Sequence, residues 1–445
     1  MFNRLASALW GKFESTDELK KFLKLAVIFG LIIGVYWTLR PIKDSIFMSV
    51  VGREYLWMAK IVSLAVVFPL VILYSKLLDM FHRHNVFYVL MGGYAVLALI
   101  FTFIFMHPEM GLANTVAAPT RYAGWAWYVF VESFGSLIVA LFWGITTDIT
   151  APQAAQRGFP IIALFGQMGN IFGPYILRTD FLGLAHSGPI VGICGILMVL
   201  TALGMWYFQH STPEYLMHGF EDKAHKSDSE PEPGFFEGLY LLVSQSYLLG
   251  IFIIITFYEI IVTIIDYHFK QTAGATFATE GEVSAFLSSY AYTTGIVATL
   301  CVLLGINNIQ RRLGMKASLI VLPLLIGVAI LVIKFNPAAL NVAFWIMVFS
   351  KAVNYALNAP TLKQLYIPTS SDTKYKAQAW LEMFGSRGAK GGASVINSFR
   401  GKLGLTGFLT MSVALSFGLI GIWILVALYV SRTFNTAIEK NEVVC

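Results

Sequence analysis

Ten charged residues lie inside long apolar stretches of this chain or at their ends: Arg40, Lys43, Asp44, Glu132, Glu259, Asp266, Lys351, Glu382, Arg387 and Lys390. A charge at the centre of such a stretch costs about 2.5–3.5 kcal/mol on insertion scales. Each therefore needs a partner of opposite sign, a water-filled cavity, or both. Asp44 is spaced to pair with Arg40 one turn back, and Asp266 has the i,i+4 spacing of an intrahelical pair with Lys270. With those set aside, the bases Arg40, Lys43, Lys351, Arg387 and Lys390 exceed the acids Glu132, Glu259 and Glu382 by two. A basic interior suits an anionic ligand, because Arg offers a planar fork to phosphate and Lys a point charge. The carboxylates can pair with these bases while a site is empty, or carry a proton. Tyr36, Tyr128 and Tyr355 lie near the charged positions and are candidates to stack on a flat ligand ring.

Other chemistries find little footing. The stretch Phe384-Gly-Ser-Arg-Gly-Ala-Lys-Gly-Gly392 suggests a phosphate loop but lacks the spacing G-x-x-x-x-G-K-[ST], so a nucleotide-hydrolysing motor is rejected. The eight His contain no H-x-x-x-H pair, and the three Cys form no close pair, so neither a metal site nor a disulfide framework is expected. No nucleophile–base arrangement points to an enzyme, and no cofactor is expected. The net charge of +6 is read through membrane topology rather than as a nucleic-acid signal.

The elements that must position these charges follow from composition. Of 445 residues, 57% are hydrophobic and only 13% charged, with mean hydropathy +0.69. A soluble domain carries about 25% charged residues, so this chain cannot cover a water-facing surface and reads as a polytopic membrane protein. A span needs about 20 apolar residues. Twelve stretches qualify: 24–42, 57–78, 87–106, 124–146, 158–177, 188–208, 240–266, 284–306, 317–334, 339–361, 378–398 and 404–431. Continuous apolar runs of this length predict helices and an all-α membrane protein. Ser15-Thr-Asp-Glu18 reads as a capping box opening the first helix. No cleavable targeting segment is expected, since Glu14, Asp17 and Glu18 stand in the first 22 residues. Eighteen basic residues fall on the side of the termini against seven on the other, which predicts both termini in the cytoplasm.

The polar stretch 210–238, with seven acids and two bases, predicts a linker. The expected organisation is a cytoplasmic N-terminal segment 1–23, a six-helix half 24–209, a cytoplasmic linker 210–238, a second six-helix half 239–432 and a cytoplasmic tail 433–445. The halves also match as a repeat. A shift of 219 positions sets Arg157 on Lys376, Phe165-Gly166 on Phe384-Gly385, Gly169 on Gly388, Gly173 on Gly392 and Glu132 on Lys351. Glycines three and four apart share a helix face and allow close helix packing. Two parallel six-span halves are the major facilitator arrangement, with a midplane site.

Four blocks carry a more specific resemblance. Arg40-Pro-Ile-Lys43-Asp44-Ser is similar to LRPxKD. Glu132-Ser-Phe-Gly-Ser, Leu141-Phe-Trp-Gly144 and Ala155-Gln-Arg157-Gly-Phe159-Pro160 are similar to ELWGS, LFWG and AKRFYP. Tyr258-Glu259 through Lys270 is similar to a glutamate-bearing seventh span. Tyr355-Ala-Leu-Asn-Ala-Pro360-Thr, Tyr366-Ile-Pro368, Lys374-Tyr-Lys376 and Gly385-Ser-Arg387-Gly-Ala-Lys390 are similar to YSLFDPT, YIP, KVK and GARLGK. With these blocks the chain resembles the non-mitochondrial ATP/ADP translocases, the nucleotide transport proteins of intracellular bacteria and plastids. The resemblance implies that Lys43, Glu132, Glu259 and Lys390 are the essential residues, the lysines holding phosphates. Arg40, Arg387 and Lys351 join them as candidate substrate contacts from the charge pattern, with Tyr36, Tyr128 and Tyr355 as candidates to stack on the nucleobase. Asn358-Ala359-Pro360 departs from the family's FDP, and Ala389-Lys390-Gly391-Gly392-Ala393 departs from its GKSGG core. The implied function is ATP/ADP exchange by alternating access in a bacterial inner membrane, the carrier acting as a monomer among lipid. Proton-coupled symport of another nucleotide or NAD, and a receptor that binds nucleotide without moving it, stay open as alternatives.

Overall fold

The computed structural model describes residues 13, 15–81, 83–217, 237–304, 308–369, 381–440 and 442–444. The candidate linker between 218 and 236, Lys374, Lys376 and the side chain of Glu382 lie outside the described residues. Every described element is helical. In chain order the spans are α1 (Thr16–Phe47), α2 (Leu56–Met80), α3 (Arg83–Met106), α4 (Tyr122–Asp148), α5 (Pro152–Ile176) and α6 (Gly188–Ser211). They continue as α7 (Ser246–Thr276), α8 (Glu280–Leu303), α9 (Asn308–Phe335), α10 (Leu340–Gln364), α11 (Leu381–Ser386 and Arg387–Ser398) and α12 (Arg400–Lys440). The predicted twelve helices are therefore present.

Among the described residues, nine segments are long and apolar enough to cross a membrane, and the first of them, Thr16–Tyr74, takes in both α1 and most of α2. The two remaining spans are α5 and α11. They fall short because α5 carries Gln153, Gln156, Arg157, Gln167 and Asn170, and α11 carries Arg387 and Lys390 among glycines. The repeat matches these two spans to each other, as it matches α4 to α10.

Local chemistry sets the ends. The Ser15 hydroxyl accepts the Glu18 amide at 3.0 Å, so α1 begins at the expected cap, and Asp17 and Glu18 face the positive end of the helix dipole. The Glu18 carboxylate turns to Arg157 of α5 at 2.8 Å. At its other end α1 passes into a π-helical turn, Met48–Gly52, that closes with Gly52 at φ 123°. Two more π turns interrupt the second half, Asn354–Asn358 inside α10 and Leu381–Ser386 at the start of α11. Such turns gather at functional sites in proteins generally.

The chain divides into two compact units. The first comprises Met1–Asp228 with Phe277–Tyr292, and the second Ser229–Thr276 with Thr293–Cys445. In the first unit α1 packs on α4, α5 and α6. Trp127 of α4 stands at its core, with ring centroids 5.3 Å from Phe101, 5.3 Å from Phe105 and 5.4 Å from Phe130. In the second unit α7 packs on α10, α11 and α12.

The repeat glycines behave differently in the two units, which corrects the expectation of close packing at both sites. A Cβ on Gly169 would lie 2.2 Å from the Gly30 carbonyl oxygen, and one on Gly173 would lie 2.5 Å from that of Gly34. The backbones of α1 and α5 therefore touch. A Cβ on Gly388 or Gly392 would meet nothing within 4 Å. The 219-residue shift supplies the reason: Leu249 and Ile253 of α7 stand where α1 has Gly30 and Gly34. Bulky side chains on α7 leave no glycine groove for α11 to enter.

Gly169→Ala should lower the thermal midpoint of the detergent-purified protein, since overpacking costs about 1–3 kcal/mol. Gly388→Ala should leave it unchanged or raise it, because Ala exceeds Gly by up to about 1 kcal/mol in a helix. Equal loss in both variants would contradict the packing difference.

Candidate functional site

Each unit contains a lysine–glutamate pair built from span residues. In the first unit the Lys43 ammonium, near the end of α1, binds the Glu132 carboxylate of α4 in a hydrogen-bonded ion pair. Asp44 Oδ1 lies 3.9 Å from the same ammonium, and the Tyr128 ring centroid 4.2 Å from it. Tyr128 is 1% exposed and also meets Phe47 edge-on at 5.3 Å. Lys43 is thus enclosed by two carboxylates and a π face, which together offset the cost of burying a cation. One turn earlier the Arg40 guanidinium lies over the Trp37 ring at 4.7 Å. Tyr36 leans on α4 where Gly135 makes room, for a Cβ there would fall 2.1 Å from the ring.

In the second unit Lys390 Nζ lies 3.6 Å from Glu259 Oε2, and the Ser386 hydroxyl donates to Glu259 Oε1 at 3.0 Å. Ser386 and Lys390 are four apart on α11, one at the end of the π turn and one in the α-helical part, so both reach the same carboxylate of α7. Arg387, between them, is half-buried. Lys351 of α10 approaches the Tyr258 ring, next to Glu259, at 6.0 Å. Among the described residues Lys351 has no carboxylate within ion-pair distance. Tyr355, in the π turn that follows, is 40% exposed. Asp266 and Lys270 form the expected intrahelical pair at 2.8 Å.

The two pairs present opposite signs. In the first, the lysine side chain is 5% exposed and the glutamate 39%; in the second, the lysine is 46% exposed and the glutamate 17%. The first unit therefore shows solvent a carboxylate and the second an ammonium. The repeat carries the same inversion, for the 219-residue shift sets Arg40 on Glu259 as well as Glu132 on Lys351. The sequence reading did not single out Ser386 or the Lys351–Tyr258 contact. Helical spacing of Ser386 and Lys390 was the available signal for the first.

These features stand beside clear likenesses. A family model described as TLC ATP/ADP transporter matches residues 1–434. "ADP,ATP carrier protein 1" of Chlamydia muridarum is 26% identical, over 99% of this chain and 93% of that protein. "ADP,ATP carrier protein 2, chloroplastic" of Arabidopsis thaliana is 26% identical, over 95% of this chain and 76% of that protein. Among solved structures, a mutant of nucleoside transporter NupG aligns with TM-score 0.63 at 14% identity, covering 92% of this chain and 99% of that one. A bacterial homologue of the iron transporter ferroportin, inward-facing, aligns with TM-score 0.63 at 12% identity, covering 94% and 100%. At these identities the two structures speak for the fold alone.

In the first pair Lys43→Ala removes the ammonium from the wet Glu132 and from the buried Asp44 together, whereas Glu132→Ala leaves Lys43 beside Asp44. In the second, Lys390→Ala leaves the more buried carboxylate with Ser386 alone, whereas Glu259→Ala leaves an ammonium that water already reaches, and losing one partner of a buried pair costs up to about 3–5 kcal/mol. The thermal midpoint should fall further for Lys43→Ala than for Glu132→Ala, and further for Lys390→Ala than for Glu259→Ala. The reverse order in either pair would refute its assigned surroundings.

Proposed function

Because this chain belongs to the TLC ATP/ADP transporter family, we propose that it exchanges ATP for ADP across a membrane by alternating access. The observation that carries the reading is the pair of ion pairs, Lys43–Glu132 and Lys390–Glu259. They occupy the four positions that the family resemblance implies to be essential.

Physical chemistry links these pairs to transport. A nucleotide phosphate is a stronger multivalent partner for an ammonium than one carboxylate is, and charge-assisted bonds to it are short. An arriving phosphate takes Lys390 from Glu259, and the freed carboxylate keeps the Ser386 hydroxyl. When the nucleotide leaves, the carboxylate takes the lysine back, so the empty site never holds an uncompensated buried charge. Lys351 has no carboxylate to leave, so it offers a phosphate contact without a displacement step. Arg40 and Arg387 add planar forks for further phosphate oxygens. Tyr36 and Tyr355 are the better placed rings for a nucleobase, since Tyr128 is enclosed beneath Lys43. The carrier works as a monomer in a bacterial inner membrane, with both termini in the cytoplasm, taking ATP inward and ADP outward.

The test is uptake of labelled ATP into liposomes loaded with ADP. Lys43→Ala and Lys390→Ala should each slow exchange by at least about tenfold, the equivalent of 1.4 kcal/mol of lost stabilisation. Wild-type rates in both variants for every nucleotide tried would overturn the assignment. Lys351→Ala should weaken apparent affinity for ATP more than for ADP, and Lys351→Arg should restore most of it. Equal affinities in wild type and Lys351→Ala would remove Lys351 from the site.

A further inference from the structure

Two acids open α8, and they do different work. Glu282 caps the helix: its Oε2 accepts the amides of Ala278 at 3.0 Å and Thr279 at 3.1 Å, while the Thr279 hydroxyl accepts the Glu282 amide at 3.3 Å. That is a complete capping box, and it leaves Glu280 with no part in the helix end. Glu280 instead turns inward and is 7% exposed. Its Oε1 accepts the hydroxyls of Ser45, from α1, at 2.6 Å and Ser187, the cap of α6, at 2.8 Å. Its Oε2 accepts the Ser187 amide at 2.8 Å. The Ser284 hydroxyl lies 2.8 Å from that of Ser187 and completes the chain of donors. Among the described residues no Lys or Arg lies within ion-pair distance of Glu280.

The neighbouring contacts of the same segment are also polar. The Thr179 hydroxyl donates to the Gly281 carbonyl at 2.6 Å. Arg178 donates to Ser289 at 3.2 Å and to the Tyr292 hydroxyl at 2.9 Å. A Cβ on Gly281 would fall 2.4 Å from the Ala185 carbonyl oxygen, so the backbones approach closely. All of these residues belong to the first unit, whereas the rest of α8, from Thr293, belongs to the second. Among the described residues, α8 is the one span whose residues are divided in this way.

Inside a membrane protein, helices are held together by small-residue packing and by hydrogen bonds between neutral polar side chains. A buried carboxylate held by neutral donors is a poor choice for permanence. Each hydrogen bond to a charged group contributes only about 1.5–3 kcal/mol net, since water offers the same bonds once the contact opens. Such a contact holds firmly when dry and separates at modest cost when wetted. We propose that Glu280 is a positioning residue for transport: its carboxylate clasps the first turns of α8 to α1 and α6, and the transport cycle requires that clasp to open and admit water. The proposal rests on the transport reading above. On α1 it acts through Ser45, two residues beyond Lys43.

Ser288, 1% exposed and one turn beyond Ser284, reports on the clasp. Its hydroxyl has no hydrogen-bond partner among the described residues, so Ser288→Cys disturbs no bond. The probe is a membrane-impermeant maleimide on the full chain in sealed liposomes, with labelling of the parent chain's own cysteines subtracted. With Glu280 intact, labelling should be slow without nucleotide and rise several-fold when ATP and ADP are present. Glu280→Ala should label rapidly without nucleotide, at least about tenfold faster, since a factor of ten is 1.4 kcal/mol and three bonds are lost, and should exchange nucleotide more slowly while still binding it. Glu280→Gln keeps one carbonyl oxygen for the two hydroxyls but sets an NH2 against the Ser187 amide, so it should fall between the two, and it serves if the Ala variant does not fold. Labelling and exchange both at wild-type rates in Glu280→Gln would overturn the proposal. Nucleotide binding separates the two readings: lost binding in the Ser288→Cys parent would count against the transport reading, whereas retained binding with an indifferent Glu280 would count against the clasp alone.

Discussion

A charge inside a bilayer finds no help in the lipid, so the protein must supply a counter-charge, hydrogen-bond donors or a wet cavity. That constraint organises this chain. It limits charged residues to 13% of the whole and draws those within the spans into specific company. Lys43 lies between Glu132, Asp44 and the face of Tyr128. Glu259 holds Lys390 and Ser386. Each arrangement satisfies an ion that would otherwise cost several kcal/mol, and each is loose enough at one partner to be exchanged. Under the proposed exchange, stability and ligand binding draw on the same side chains.

The two units solve a shared plan with different materials. Both descend through the same register of 219 residues, and both keep glycines at matching positions of α5 and α11. In the first unit those glycines meet glycines, and α1 and α5 lie backbone to backbone. In the second, Leu249 and Ile253 hold the sequence positions of Gly30 and Gly34, and the glycine side of α11 stays open. The charges diverge likewise, with Arg40 answered by Glu259 and Glu132 by Lys351. One unit is closed and exposes a carboxylate; the other is open and exposes an ammonium.

Much of this was legible beforehand. Long apolar runs marked all twelve spans, because the bilayer sets their length. Ser15 marked the start of α1, because a capping box is a local pattern. The costly charges included the four residues that form the two pairs among ten candidates, and the family resemblance singled those four out. Partner choice was not legible, since it depends on how each helix is rotated, and π turns alter that rotation without any periodic signature. The asymmetry of the glycines needed knowledge of what faced them. Glu280 was hidden by its setting: it stands two residues from Glu282, both in the first turn of a helix. Composition alone does not tell which acid caps and which turns inward.

The three π turns, at Met48–Gly52, Asn354–Asn358 and Leu381–Ser386, each hold one residue more than an α-helical turn would. One residue is about 100° of rotation and 1.5 Å of rise. Everything beyond such a turn is therefore re-aimed by more than a quarter revolution at almost no change in length. In evolution this makes a single-codon insertion or deletion there a dial on which face a helix presents. Removing one residue from Leu381–Ser386 would turn Lys390, and with it the rest of α11, about 100° away from its present facing.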